Sequence, residues 1–190
     1  MGKCRIQNIV PPCGYRLDGI DLIRLLDFNE FGGFKFDGDG LYDTCLVTAM
    51  PWANSFIEVD SPDTAKYTSS LQNGIYTHTL ETFIGDLSAD LEAKLHLATN
   101  RRYVALFRTK AGRLFAFAYE AGATITYTNQ TTGGIGSLVT ITATSIYPLF
   151  EAIESVLDTL RVKPSRLFFE NDEPQQMQIY AGHSTQWIIN

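Results

Sequence analysis

The stretch RYVALFRTKAGRLFAFAYEAGATITYTNQTTGGIGSLVTITATSIYPLF, Arg102–Phe150, decides the fold. Tyr103–Thr109 runs through Lys110-Ala111-Gly112 into Arg113–Glu120, Gly122 opens Ala123–Thr128, and Gly133-Gly134-Ile135-Gly136 returns the chain into Leu138–Thr144. Short apolar runs separated by glycine-marked turns predict an antiparallel β-meander of four strands. In the last two strands threonine occupies every second position. Thr124, Thr126 and Thr128 are expected to share a face with Thr140, Thr142 and Thr144, opposite Ala123, Ile125, Tyr127, Val139, Ile141 and Ala143. Alternation of this kind gives a sheet with one buried face and one hydroxyl-rich face.

Working outward, Asn73-Gly74 between Lys66–Leu71 and Ile75–Ile84 is a hairpin signal, and further strands are expected around Leu41–Met50 and Ser55–Val59. Gly14–Leu26 fits a strand edge or a short helix equally well. Phe28–Tyr42, centred on Asp37-Gly38-Asp39-Gly40, reads as two short strands joined by a tight turn. Asp86 or Ser88 can cap a helix to about Thr99, where Leu87, Leu91, Leu95 and Ala98 recur at helical spacing. Glu151–Leu160 is a second helix candidate, with Ile153, Val156, Leu157 and Leu160 on one stripe before Pro164. Leu167–Glu170 and Met177–Tyr180 read as short strands. The expected fold is therefore mainly β (α+β): an antiparallel β-sandwich or partly closed barrel over residues 1–150, with one flanking helix, and a C-terminal extension over 151–190.

At 190 residues the chain can bury one substantial core, and 19% charged residues fit an ordinary globular protein. A net charge of −6 repels polyanions, which argues against a binder that works by neutralising phosphates. No run approaches the ~20 apolar residues of a membrane span, and none near the N-terminus suits a signal peptide. Cys4, Cys13 and Cys45 cannot all pair within one chain, so reduced thiols are the simpler reading; their spacing matches no closed zinc motif.

The acidic group Asp37, Asp39 and Asp43 could offer oxygens to calcium, but the loop pattern is wrong for it and a solvated turn explains it. Gly133-Gly134-Ile135-Gly136 lacks the Lys-Ser/Thr of a phosphate cradle. His78, His96 and His183 stand in a strand, a helix and a terminal loop, with no nucleophile or acid beside them in a known catalytic arrangement. These readings point away from an enzyme and call for no cofactor or metal.

Gly74-Ile75-Tyr76-Thr77-His78-Thr79-Leu80, the run Arg102–Phe115, Ala121–Tyr127 and Ser145–Phe150 resemble virion structural proteins of tailed bacteriophages. The similarity is to small tail or neck proteins of phages and prophages of gut Bacteroidetes, including the crAss-like phages, and covers about Ser55–Phe150. The resemblance implies a tail-tube-like β-sandwich or partly closed barrel that associates side by side into a homo-oligomeric ring in the tail or the head-to-tail connection. Its implied partners are copies of itself and other tail, neck or portal proteins, with DNA only as a non-specific passing polymer and the virion as its location. It also makes the Phe28–Tyr42 hairpin a candidate protruding arm.

Candidate subunit-interface residues are accordingly Phe31, Phe34 and Phe36 in that segment, and Phe168, Phe169, Tyr180, Trp187 and Ile188 in the C-terminal extension. An apolar terminus docks either on a neighbour, by strand addition, or on its own core. Rival readings are a packaged cargo or peripheral tail protein, and a carbohydrate- or ligand-binding sandwich using Trp52 and nearby tyrosines. An enzyme of novel arrangement would need a pocket in which Asp, Glu or His side chains converge.

Overall fold

In the computed structural model, the structure describes residues 19–38, 45–50, 56–59, 64–132 and 134–159, and the backbone of 177–181 and 184–188. The chain is mainly β, with thirteen strands among the described residues. They are β1 Ile20–Asp27, β2 Lys35–Phe36, β3 Leu46–Ala49, β4 Ile57–Val59, β5 Lys66–Gln72, β6 Ile75–Ile84, β7 Tyr103–Thr109, β8 Leu114–Phe117, β9 Thr124–Gln130, β10 Gly136–Ser145, β11 Phe150–Ala152, β12 Met177–Ala181 and β13 Ser184–Ile188. Helix α1 is Ala89–Thr99 and α2 is Ser155–Thr159.

Seven strands form sheet A in the order β2-β3-β11-β8-β7-β1-β4, and four form sheet B in the order β5-β6-β10-β9. All pairs are antiparallel except β11 with β3. The sheets are separate, so the fold is a sandwich rather than a closed barrel. One core lies between them, built from Ile23, Leu25, Ala105, Phe107 and Phe117 of sheet A against Leu80, Ile125, Val139 and Ile141 of sheet B. A second core covers the other face of sheet A: Leu26, Val104, Leu106, Leu114 and Phe150 pack with Phe34, Met50, Val156 and Leu157. Sheet A is thus buried on both faces, which is why Tyr103–Phe107 reads as an unbroken apolar run instead of an alternating one.

The expected four-strand meander is really two hairpins in two sheets. β7 pairs with β8 and β9 pairs with β10, but β8 does not pair with β9. The crossing lies at Ala118–Ala123, where Ala118 and Gly122 have positive φ (71° and 72°) and the Gly122 N–H donates to the Ala118 carbonyl at 3.2 Å. Ala123 exchanges two backbone hydrogen bonds with Tyr103 before β9 departs into sheet B. A Cβ at Gly122 would lie 2.8 Å from the Arg102 Cβ, so only glycine suits this corner.

Two further expectations are corrected. Of Phe28–Tyr42, residues 39–42 lie outside the described residues, and the rest holds one strand rather than two: Phe28–Glu30 is a 3-10 turn, with the Asp27 carboxylate accepting from the Asn29 N–H, and β2 pairs with β3. Glu151–Leu160 is not one helix, because Phe150–Ala152 is an interior strand between β8 and β3; of its described residues, Ser155–Thr159 are helical. Burial of Phe150 and Ala152 stabilises more than one exposed turn of helix does, and it claims those residues for the sheet. Of Gly14–Leu26, left open between strand and helix, residues 20–26 belong to β1, paired to both β7 and β4, and residues 14–18 lie outside the described residues.

Helix α1 forms as expected. The Asp86 carboxylate accepts from the Ser88 N–H and hydroxyl, and the Ser88 Oγ in turn accepts from the Leu91 N–H at 3.3 Å. This cap fixes the first turn. Leu91, Leu95 and Ala98 pack on the inter-sheet core, and the Glu92 carboxylate accepts from the Tyr127 hydroxyl (2.7 Å) and the Asn129 amide (2.8 Å), holding the helix alongside β9.

Candidate assembly surface

The outer face of sheet B carries the hydroxyl rows that the sequence pattern foretells. Reading across β9, β10, β6 and β5, one row is Thr126, Thr140, Glu81 and Lys66, and the next is Thr124, Thr142, Thr79 and Thr68. A third is Thr144, Thr77 and Ser70. The threonines of β9 and β10 share a face as their alternation requires. What the pattern did not supply is the continuation into β6 and β5, where the hydroxyl repeat is only Thr77-x-Thr79 and Thr68-x-Ser70.

On β9 the hydroxyls of Thr124 and Thr126 donate to the Thr142 and Thr140 carbonyls (3.3 and 3.5 Å), and Lys66 pairs with Glu81 at 2.7 Å. The face therefore carries a matched charge pair, and two of its hydroxyls are bonded within the sheet. It is bordered at one end by Phe83 and Leu138, register neighbours of Thr128, and at the other by Ile75, which is 49% exposed.

Strand β5 is the open edge of this sheet. Among the described residues it pairs only with β6, and six of its seven residues are exposed, with Leu71 at 56%. The opposite edge strand, β9, has α1 beside it. The edges of sheet A are short, two residues in β2 and three in β4.

Phe31, Phe34 and Phe36 belong to an aromatic cluster on sheet A's outer face. Phe34 is buried, 4.9 Å from Phe31 between ring centroids and 5.4 Å from Tyr119, while Phe36 lies 5.2 Å from Phe150. The segment lies against its own sheet, and Phe31 and Phe36 are partly buried at the rim of the second core. In the C-terminal extension, Tyr180 stands opposite Thr185, Trp187 opposite Gln178 and Ile188 opposite Met177 in the β12–β13 hairpin, which joins neither large sheet. Phe168 and Phe169 lie outside the described residues, as do Trp52, Cys4, Cys13, Asp39, Asp43 and His183.

Of the histidines, His78 has the most defined surroundings. It is buried on the inner face of β6, with Nδ1 2.7 Å from the Tyr67 hydroxyl and Nε2 3.2 Å from the Tyr147 carbonyl. A carbonyl only accepts, so Nε2 carries the proton and Nδ1 accepts from Tyr67. Burial pushes the Tyr67 hydroxyl up to about 12 and holds the His78 pKa below its ordinary value, the latter against the opposing pull of the Tyr147 carbonyl. Both ring nitrogens are occupied and no carboxylate pairs with them. The arrangement is a structural buttress between β5, β6 and the turn after β10, and nothing in the sequence linked His78 to Tyr147.

Arg108 joins Asp21 of β1 (3.1 Å) to Glu154 (2.7 Å), and Arg113 chelates Glu151. Among the described residues, no three His, Cys, Asp or Glu side chains gather as a metal ion would require, and no helix is long and apolar enough to cross a membrane. No protein-family model, curated protein or solved structure matches the chain.

Proposed function

We propose that the chain is a non-enzymatic structural component of a tailed-phage particle, forming a homo-oligomeric ring in the tail or the head-to-tail connection around the DNA passage. The observation that carries this reading is the seven-residue open edge of β5, beside a neutral hydroxyl face. An edge of that length is a hazard in a monomer and a joint in a cyclic assembly. The sequence resemblance supplies the setting, and the net charge of −6 suits a passage that repels the phosphate backbone.

Copy number in purified particles, by quantitative mass spectrometry, tests the reading. A value near a multiple of about six per particle is expected for a closed cyclic component. Absence from particles, or a purified chain that stays monomeric at all concentrations and with its neighbouring virion proteins, overturns it.

A further inference from the structure

We propose that the β12–β13 hairpin of one copy adds to the open edge of β5 in the next, extending that copy's sheet B from four strands to six. This rests on the ring reading and names the joint within it.

The argument begins with the hairpin. Among the described residues it pairs with no other strand, and a lone two-stranded hairpin is marginal in water, so it requires a docking partner. The complementary deficit is β5: successive N–H groups of an edge strand point alternately toward its neighbour and away from it, and the outward set has no strand partner among the described residues. Charge selects the pairing. Residues 177–188 contain no Asp, Glu, Lys or Arg, and the single charge of β5, Lys66, is already matched by Glu81. Two copies that each carry −6 repel at long range, and these two neutral segments meet with the least opposition.

Reach allows a neighbour. The 17 residues between Thr159 and Met177 span at most about 56–61 Å when extended, against a radius of gyration of about 16 Å for a domain of this length.

Hydrogen exchange on the full chain and on a variant ending at Gln176 tests the inference. Amides of Lys66–Gln72 are expected to exchange about tenfold or more slowly in the full chain, by a margin that grows with protein concentration. Thr68→Pro and Ser69→Pro provide the second arm. One of these adjacent N–H groups faces β6 and the other faces outward, so the variant that keeps the parent melting temperature is the one that blocks only the outer edge. It should lose the concentration-dependent protection as completely as the truncation does.

Equal exchange in both chains at every concentration overturns the proposal. So does protection that persists unchanged in dilute monomer, which would mean the hairpin folds onto its own edge. Particle copy number stands apart from these results, so a ring closed by other contacts would refute this joint without refuting the ring.

Discussion

Acidification to about pH 5 should cost this protein stability through His78. The imidazole is 1% exposed, flanked by the rings of Tyr76 and Phe117 at 5.9 and 5.5 Å, and neutral in the tautomer that Tyr147 and Tyr67 dictate. Its folded pKa is depressed by burial, whereas the unfolded side chain titrates near 6.5. Below that value the unfolded chain takes up a proton that the folded chain refuses. The stabilisation is therefore full above about pH 6.5, declines as pH falls toward the folded pKa, and is constant below it. One proton sets the steepest possible slope at about 1.4 kcal/mol per pH unit.

Two carboxylates held low fall outside this window. Glu92, held low by Tyr127, and Glu151, held low by Arg113, lose their contribution only as pH descends through pKa values below the ordinary carboxylate range. Urea denaturation at intervals from about pH 7.5 to 5.0 measures the slope, with His78→Gln as the reference that cannot titrate there. The variant should lose about 1–3 kcal/mol at neutral pH through disturbed packing and hydrogen bonding, and its stability should be flatter with pH than the parent's. Parallel curves for parent and variant would refute the reasoning.

Gly136→Ala should destabilise by at least about 1–3 kcal/mol, the usual cost of overpacking, because its Cβ would sit 2.2 Å from the Ile84 carbonyl and 2.6 Å from the Phe83 ring. A fall in melting temperature of roughly 2–4 °C per kcal/mol reports it. Phe34→Ala should cost about 3–5 kcal/mol in denaturant unfolding, since Phe34 is 8% exposed within its own core; a change under about 1 kcal/mol would mean that the ring serves a neighbour instead. Ser88→Ala should cost about 1 kcal/mol and speed amide exchange in the first turn of α1, where the Leu91 N–H loses its acceptor.

The local elements were legible wherever one signal acted alone. Asn73-Gly74 and the alternating threonines specify two hairpins of sheet B, and Ser88 with Leu91, Leu95 and Ala98 specifies α1. What could not be read was the partition of strands between sheets. The residues that end β8 and begin β9 look like any short turn, and the decisive features, positive φ at Ala118 and the Gly122 approach to Arg102, exist only once both sheets are in place. Glu151–Leu160 misled for a related reason. Its helical stripe is real in Val156 and Leu157, but a parallel pairing with β3, about a hundred residues earlier, takes Glu151 and Ala152 into sheet A. Of the assembly surface, the threonine face was visible on two strands of four, and the open edge was not visible at all, because an edge is a property of strand order.

That strand order also limits where a neighbour can bind by sheet contacts. The described chain covers both faces of sheet A itself: sheet B lies on one side, and the Phe31, Phe34 and Phe36 cluster with Met50, Val156 and Leu157 lies on the other. The short β2 and β4 edges offer two and three residues of backbone, and β9 has α1 beside it, held by Glu92. Within the two large sheets of the described chain, a strand or sheet from outside is left with the outside of sheet B and the edge of β5. The face offers hydroxyls already engaged with neighbouring carbonyls on β9 and a matched Lys66–Glu81 pair, so it gives a partner little uncompensated polarity to satisfy. The edge offers backbone groups that only another strand pairs in full. Register then matters: a strand laid on β5 one residue out of step would reverse its two faces, so a joint made there fixes the orientation of successive copies as well as their attachment.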